Sequence, residues 1–199
     1  MAILTTSDLS RMAGQEYKSV RYAGSLKKSV RLEESVDNIH YDVFLSHSYL
    51  DRDTIQKLNY VLEEELGLSV YVDWIENPDL SRSSVTPETA GSLRSAMDRS
   101  SSLLYAISTS ASDSKWMPWE LGYSDARHGR VAILPIEKSS TASTAYKSQE
   151  FIGLYPYIDR ETMTNDRSGK KYLWANDPRK STRYSLFDDW LKNGVLLDH

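Results

Sequence analysis

Four short apolar runs, separated by amphipathic stretches, constrain what this chain can fold into more than any other feature. Tyr41–Ser46, Leu68–Trp74, Leu103–Ile107 and Val131–Ile136 are rich in aliphatic, β-branched or aromatic residues, and none alternates cleanly between apolar and polar. Strands that are apolar on both faces belong inside a parallel sheet covered on both sides. Between the first two runs, Ile55, Leu58, Val61, Leu62 and Leu66 recur at helical spacing before Gly67. Thr86-Pro87-Glu88 opens a second helix, with a capping hydroxyl, a proline suited to the first helical position and an acid near the positive helix end. Its Leu93 and Met97 face inward. Lys115–Arg127 makes a third helix that ends near Gly129. The order is β-α-β-α-β-α-β, and right-handed crossovers make such a chain doubly wound.

At 199 residues there is room for one α/β domain with modest extensions. Residues 1–39 read as an N-terminal helical extension, because Leu26, Val30, Leu32 and Val36 are spaced for a helix. Residues 40–160 form the core domain and 161–199 a C-terminal extension that completes it. In the tail, Tyr157–Met163 and Lys171–Trp174 flank the turn Asn165–Gly169, and a fifth strand falls in this region. Leu186, Trp190 and Leu191 mark a last helix stopped near Asn193-Gly194. Trp174, Phe187 and Trp190 are expected to complete a core, while Lys170, Lys171, Arg179, Lys180 and Arg183 form a solvated face. Ile75–Val85 is a long polar loop.

Composition removes several function classes. A net charge of −4 and a pI near 5.6 leave no basic footprint for a nucleic-acid backbone. The absence of cysteine excludes disulfides, thiolate zinc sites and cysteine nucleophiles, and is compatible with a reducing cytoplasm. No stretch reaches the roughly 18 to 20 apolar residues that cross a bilayer, and the opening residues lack a secretory pattern. The expectation is a soluble cytoplasmic protein with neither a membrane nor a nucleic-acid partner.

Open parallel sheets bind ligands beyond the carboxyl ends of their strands. After the first strand stands Ser46-His47-Ser48-Tyr49, with no glycine-rich dinucleotide turn, and no phosphate-binding P-loop occurs anywhere. A phosphoacceptor receiver needs an aspartate ending the third strand, where this chain has Ser108-Thr109. Nucleophile-elbow, zinc-helix and calcium-loop patterns are missing too. His40, His47, His128 and His199 are scattered without ligand spacing, so no metal is expected.

One constellation is left. Proline is tolerated only in the first turn of a helix, so Pro118 places the third helix start near Ser112 or Ser114. Glu120 then lies close to the positive helix end, with Trp116 one turn before it and Tyr123 and Arg127 continuing the same face. This stripe points toward a cleft or solvent, while Met117, Leu121 and Ser124 pack on the sheet. A structural reading competes: Trp116 and Trp119 as core anchors, with Glu120 paired to Lys115 or an arginine.

Tyr41-Asp-Val-Phe-Leu-Ser-His-Ser48 resembles the opening strand of TIR (Toll/interleukin-1 receptor) domains, and Leu68-Ser-Val-Tyr-Val-Asp73 their second strand with its terminal aspartate. Ser114-Lys-Trp-Met-Pro-Trp-Glu-Leu121 resembles their W-x-x-x-E helix, and Val131–Ile136 their fourth strand. Four blocks in order cover about half the chain. The resemblance implies a flavodoxin-like, doubly wound, five-stranded parallel sheet and cleavage of NAD⁺ between ribose and nicotinamide, with Glu120 catalytic. A carboxylate there would stabilise an oxocarbenium-like ribose, as in glycoside cleavage. NAD⁺ would be substrate, and no cofactor is required.

The resemblance further implies that Trp116, Ser46, His47, Tyr49, Asp73 and Tyr123 bind the substrate. Asp73 could equally cap the loop that follows it. No proton transfer is assigned to His47, for which a packing role is the commoner outcome. Loop 75–89 would join copies into homo-oligomers, with the active site at a subunit junction. A stand-alone enzyme of this kind makes ADP-ribose or a cyclic or modified ADP-ribose signal for a separate effector protein, as in Thoeris-like anti-phage defence. The alternatives are a non-enzymatic TIR–TIR adaptor and an ADP-ribosyl or deoxyribosyl transferase.

Overall fold

The computed structural model of the chain describes residues 4–14, 39–48, 52–76, 86–107, 114–137 and 150–199. In chain order the elements are β1 (Leu4–Thr5), α1 (Thr6–Ala13), β2 (Tyr41–Ser46), α2 (Arg52–Tyr60), β3 (Val70–Tyr71), α3 (Asp73–Glu76), α4 (Pro87–Asp98) and β4 (Ser100–Ile107). They continue with α5 (Met117–His128), β5 (Val131–Glu137), β6 (Tyr157–Thr162), β7 (Lys171–Asn176), β8 (Arg183–Leu186), α6 (Phe187–Asn193) and β9 (Leu197–Asp198). Residues 61–65 extend α2 as a π-helical turn.

Strand order in the sheet is β3-β2-β4-β5-β6-β7-β8-β9. The run β3-β2-β4-β5-β6 is parallel throughout, which is the expected five-stranded, flavodoxin-like sheet, with β6 as its fifth strand. From β6 onward the tail adds antiparallel strands β7, β8 and β9 to the same sheet.

Side chains alternate across each strand, so the sheet has two apolar faces. Val43, Leu45, Leu104, Ala132 and Leu134 pack on one side with Leu9 of α1, Ile55 and Leu58 of α2, and Phe187 and Trp190 of α6. Phe44, Leu103, Tyr105, Val131 and Ile133 pack on the other with Leu93 and Met97 of α4 and Met117 and Leu121 of α5. The predicted inward positions of α4 are fully buried, and Thr86 caps that helix by accepting from the Thr89 amide at 3.2 Å. Phe187 and Trp190 complete the core as expected and stack at 5.9 Å, while the tail's five named cations are exposed.

Three expectations need revision. The second strand is not Leu68–Trp74 but only Val70–Tyr71, because the Val72 carbonyl accepts from the Ile75 and Glu76 amides and turns the chain into α3. Register at this sheet edge is held instead by Asp42, whose carboxylate accepts from both the amide and the hydroxyl of Ser69 at 2.8 Å. The third helix begins at Met117, a few residues later than the proline argument places it, although Pro118 is in its first turn. The N-terminal segment also holds a strand, since β1 pairs parallel with β5, Leu4 opposite Ile136. A reciprocal cap between Thr5 and Asp8 starts α1, and Leu9 is fully buried in the domain core. The helical spacing at residues 26–36 lies outside the described residues.

Among the described residues, no helix is long and apolar enough to cross a membrane. One core carboxylate is only partly satisfied by hydrogen bonds. Asp159 of β6 is 1% exposed, and its Oδ1 accepts from Asn176 Nδ2 at 3.0 Å. Among the described residues its Oδ2 has no hydrogen-bond partner. Burial pushes this carboxyl up to about 6, against the hydrogen bond from Asn176. A folded-state value above the unfolded one contributes stability that is present below about pH 4 and lost as pH rises through about 6. Asp159→Asn is therefore expected to stabilise the protein at pH 7.5 by up to about 3 kcal/mol. In thermal melts the gap to the parent should close as pH falls to 4; a gap independent of pH would contradict the assignment.

Candidate active site

Ser46 is the last residue of β2 and lies on the same face as Phe44, opposite Tyr105 in the parallel ladder with β4. That face is roofed by α5. The Ser114 hydroxyl accepts from the Met117 amide at 3.3 Å, and the Glu120 amide bonds the Trp116 carbonyl at 2.9 Å, which closes the first turn. Met117, Glu120, Leu121 and Ser124 form the buried stripe of α5. The acid thus belongs to the sheet-facing side, not to a stripe turned to a cleft or solvent, because i, i+3 and i+4 spacing from Met117 carries it there.

Glu120 is 0% exposed, and its Oε2 accepts the Ser46 hydroxyl at 2.6 Å. A buried carboxylate is costly unless donors and dipoles compensate it. Here it has the serine hydroxyl and a place in the first helical turn, where the dipole favours negative charge. Tyr105 stands beside the pair, and burial together with the Glu120 charge pushes its phenol up, so it stays protonated at neutral pH. Trp116 is buried edge-on to Trp119 at 5.5 Å, and Trp119 stacks on Tyr123 at 5.8 Å. The Tyr123 hydroxyl donates to Asp98 at the end of α4, a carboxylate it shares with Arg127.

His47, one residue on, joins a separate cluster. Its Nδ1 lies 2.8 Å from the Leu45 carbonyl, and its Nε2 accepts the Trp74 indole N–H at 2.9 Å. An indole only donates and a carbonyl only accepts, so the ring is neutral with its proton on Nδ1. Asp73, 2% exposed, stands 3.4 Å from Nε2, and the Arg52 guanidinium lies over the Trp74 ring at 4.5 Å. The structure thus brings Ser46, Glu120 and Trp116 to one face at the carboxyl ends of the strands and joins His47 with Asp73, while Tyr123 reaches α4. Tyr49 and loop positions 77–85 lie outside the described residues. Sequence reasoning misses Tyr105 and Trp74. Tyr105 is the single polar-tipped residue in Leu103-Leu-Tyr-Ala-Ile107, and that is the one signal that could have found it.

At neutral pH, nitrogen NMR of His47 should find Nδ1 protonated and Nε2 bare. Trp74→Phe should cost about 1 kcal/mol by removing the donor. A proton on Nε2 would contradict this network.

No protein-family model matches the chain. A curated protein of Bacillus cereus (strain MSX-D12), named "Probable 3' cyclic ADP-D-ribose synthase ThsB'", is 43% identical over 96% of this chain and 99% of its own length. A second, of Cytobacillus dafuensis, named "Putative cyclic ADP-D-ribose synthase TIR2", is 34% identical over 42% of this chain and 22% of its own length. With full-length similarity to the first relative, and with the strand and helix blocks of the resemblance built into one parallel sheet, the chain belongs to the TIR-domain family, alongside ThsB'.

Proposed function

We propose that this protein cleaves the nicotinamide–ribose bond of NAD⁺ and closes the remaining ADP-ribose into a cyclic signal, with Glu120 as the catalytic carboxylate. The observation that carries this reading is a buried Glu120, hydrogen-bonded by Ser46, in the first turn of a helix at the ligand edge of a parallel sheet. When the glycosidic bond breaks, nicotinamide leaves with the bonding electrons as a neutral base and positive charge develops on the ribose. A fixed carboxylate in dry surroundings stabilises that cation far better than it would in water.

Product identity depends on what attacks next. Attack by a hydroxyl of the second ribose forms a new carbon–oxygen bond, releases one proton and gives a cyclic product, whereas water gives ADP-ribose. The names of both relatives support cyclisation, and the first relative's name gives that protein a 3' cyclic product. Burial of Ser46, Tyr105 and Glu120 supports it too, by disfavouring bulk water at the cation. No cofactor is needed for this chemistry. Trp116 lines the ribosyl position by stacking or edge contact, while His47, Asp73, Tyr49 and Tyr123 shape the remainder of the nucleotide site. The protein acts in the cytoplasm as a homo-oligomer joined through segment 75–89, whose two ends belong to α3 and α4 rather than to a loop, and a separate effector protein reads its product in anti-phage defence. The Thoeris-type resemblance supports that setting.

Incubation with NAD⁺ at several enzyme concentrations should release nicotinamide, with specific activity rising with concentration and a product lighter than ADP-ribose by one water. Glu120→Ala and Glu120→Gln should lower the rate at least about a hundredfold. Intact NAD⁺ at high protein concentration, or undiminished rates in both variants, would overturn the reading and favour an adaptor.

A further inference from the structure

Ser46 and Glu120 are 74 residues apart in sequence and reach each other only through the packing of α5 on the sheet. Both are 0% exposed, and the Ser46 hydroxyl donates to Glu120 Oε2 at 2.6 Å, the separation of a short hydroxyl–carboxylate hydrogen bond. The serine has no freedom to drift, because Ser46 ends a central strand laddered to β4 and Tyr105 closes its flank. A glutamate side chain has three rotatable bonds, and a helix start alone does not choose among its rotamers. A hydroxyl anchored to the sheet does.

We propose that Ser46 is the positioning residue of the catalytic carboxylate: its hydroxyl holds Glu120 Oε2 against the end of β2 and so fixes the direction of the second carboxylate oxygen. This deepens the NAD⁺-cleavage reading and rests on it. Ser46 then acts on the reaction through Glu120, and its own contact with the nucleotide contributes little to binding. Tyr105 assists by burial: its protonated phenol adds no second negative charge beside the acid. The orientation of the carboxylate relative to the breaking bond is what differential transition-state stabilisation depends on, so loss of the anchor appears in kcat rather than in KM.

The test compares steady-state nicotinamide release by the full-length parent, Ser46→Ala, Ser46→Thr and Ser46→Cys, and repeats Ser46→Ala in the Glu120→Gln background. Ser46→Ala should lower kcat roughly tenfold to hundredfold, the worth of a hydrogen bond to a charged group. KM for NAD⁺ should stay within about twofold, as expected when an interaction made only in the transition state is lost. Ser46→Thr restores the hydroxyl and should recover most of the rate. Ser46→Cys keeps the volume with a weak donor and should behave like alanine, and it stands in if the alanine variant folds poorly by thermal melting. With Gln at 120, Ser46→Ala should have little further effect. A rise in KM at unchanged kcat, full activity without the hydroxyl, or losses that add in the double variant would overturn the proposal while leaving NAD⁺ cleavage standing. Absence of nicotinamide release by the parent would overturn both.

Discussion

A carboxylate with no exposed surface is the constraint around which this domain is arranged. Taking Glu120 out of water costs several kcal/mol unless the protein replaces its hydration, and two elements distant in sequence contribute to that replacement. Ser46 supplies a hydroxyl at 2.6 Å from the end of β2, and α5 supplies its amino-terminal turn. Neither works unless the helix start and the strand end are in register. Met117 and Leu121, on the same stripe as Glu120, provide that register by packing into the apolar face of the sheet. Core packing and site chemistry are therefore one problem in this fold.

The end of β2 serves both faces of the sheet. Because side chains alternate, Ser46 turns toward α5 and the aromatic tip of Tyr105, whereas His47 turns toward Trp74, Asp73 and Arg52. The first group presents an acid in dry surroundings. The second ties β2 to α3, the short helix that precedes loop positions 77–85. Two consecutive residues thus connect the proposed reaction centre and the segment proposed for assembly, and β2, paired on both sides, is the rigid element between them.

Much of this was legible because parallel strands buried on both faces leave continuous apolar runs, and because Thr86, Pro87, Pro118, Gly129 and Gly194 punctuate helices by well-understood backbone rules. The shortness of β3 was not legible. An edge strand needs few ladder bonds, and Asp42 with Ser69 holds its register by side-chain contacts that no apolar pattern encodes. Nor was the role of Leu4 and Leu9, since two residues pairing with β5 are too short a run to read as a strand. At the site, residue types and helix position single out Ser46, Trp116 and Glu120 one by one. That the serine donates to the acid, and that Tyr105 walls the pair, depends on contacts across long sequence separations, and spacing carries no such information.

The central claim is that the ribosyl cation of NAD⁺ forms against the Glu120 carboxylate. A crystal structure of Glu120→Gln with NAD⁺ bound tests it most directly, because the isosteric amide is expected to slow cleavage while keeping the shape of the site. The account predicts the anomeric carbon of the nicotinamide ribose within about 3.5 Å of the residue 120 side chain, a distance that permits reaction, with Ser46 still bonded to that side chain. A nucleotide bound with that carbon far from residue 120, or seated at the opposite end of the sheet, would contradict it.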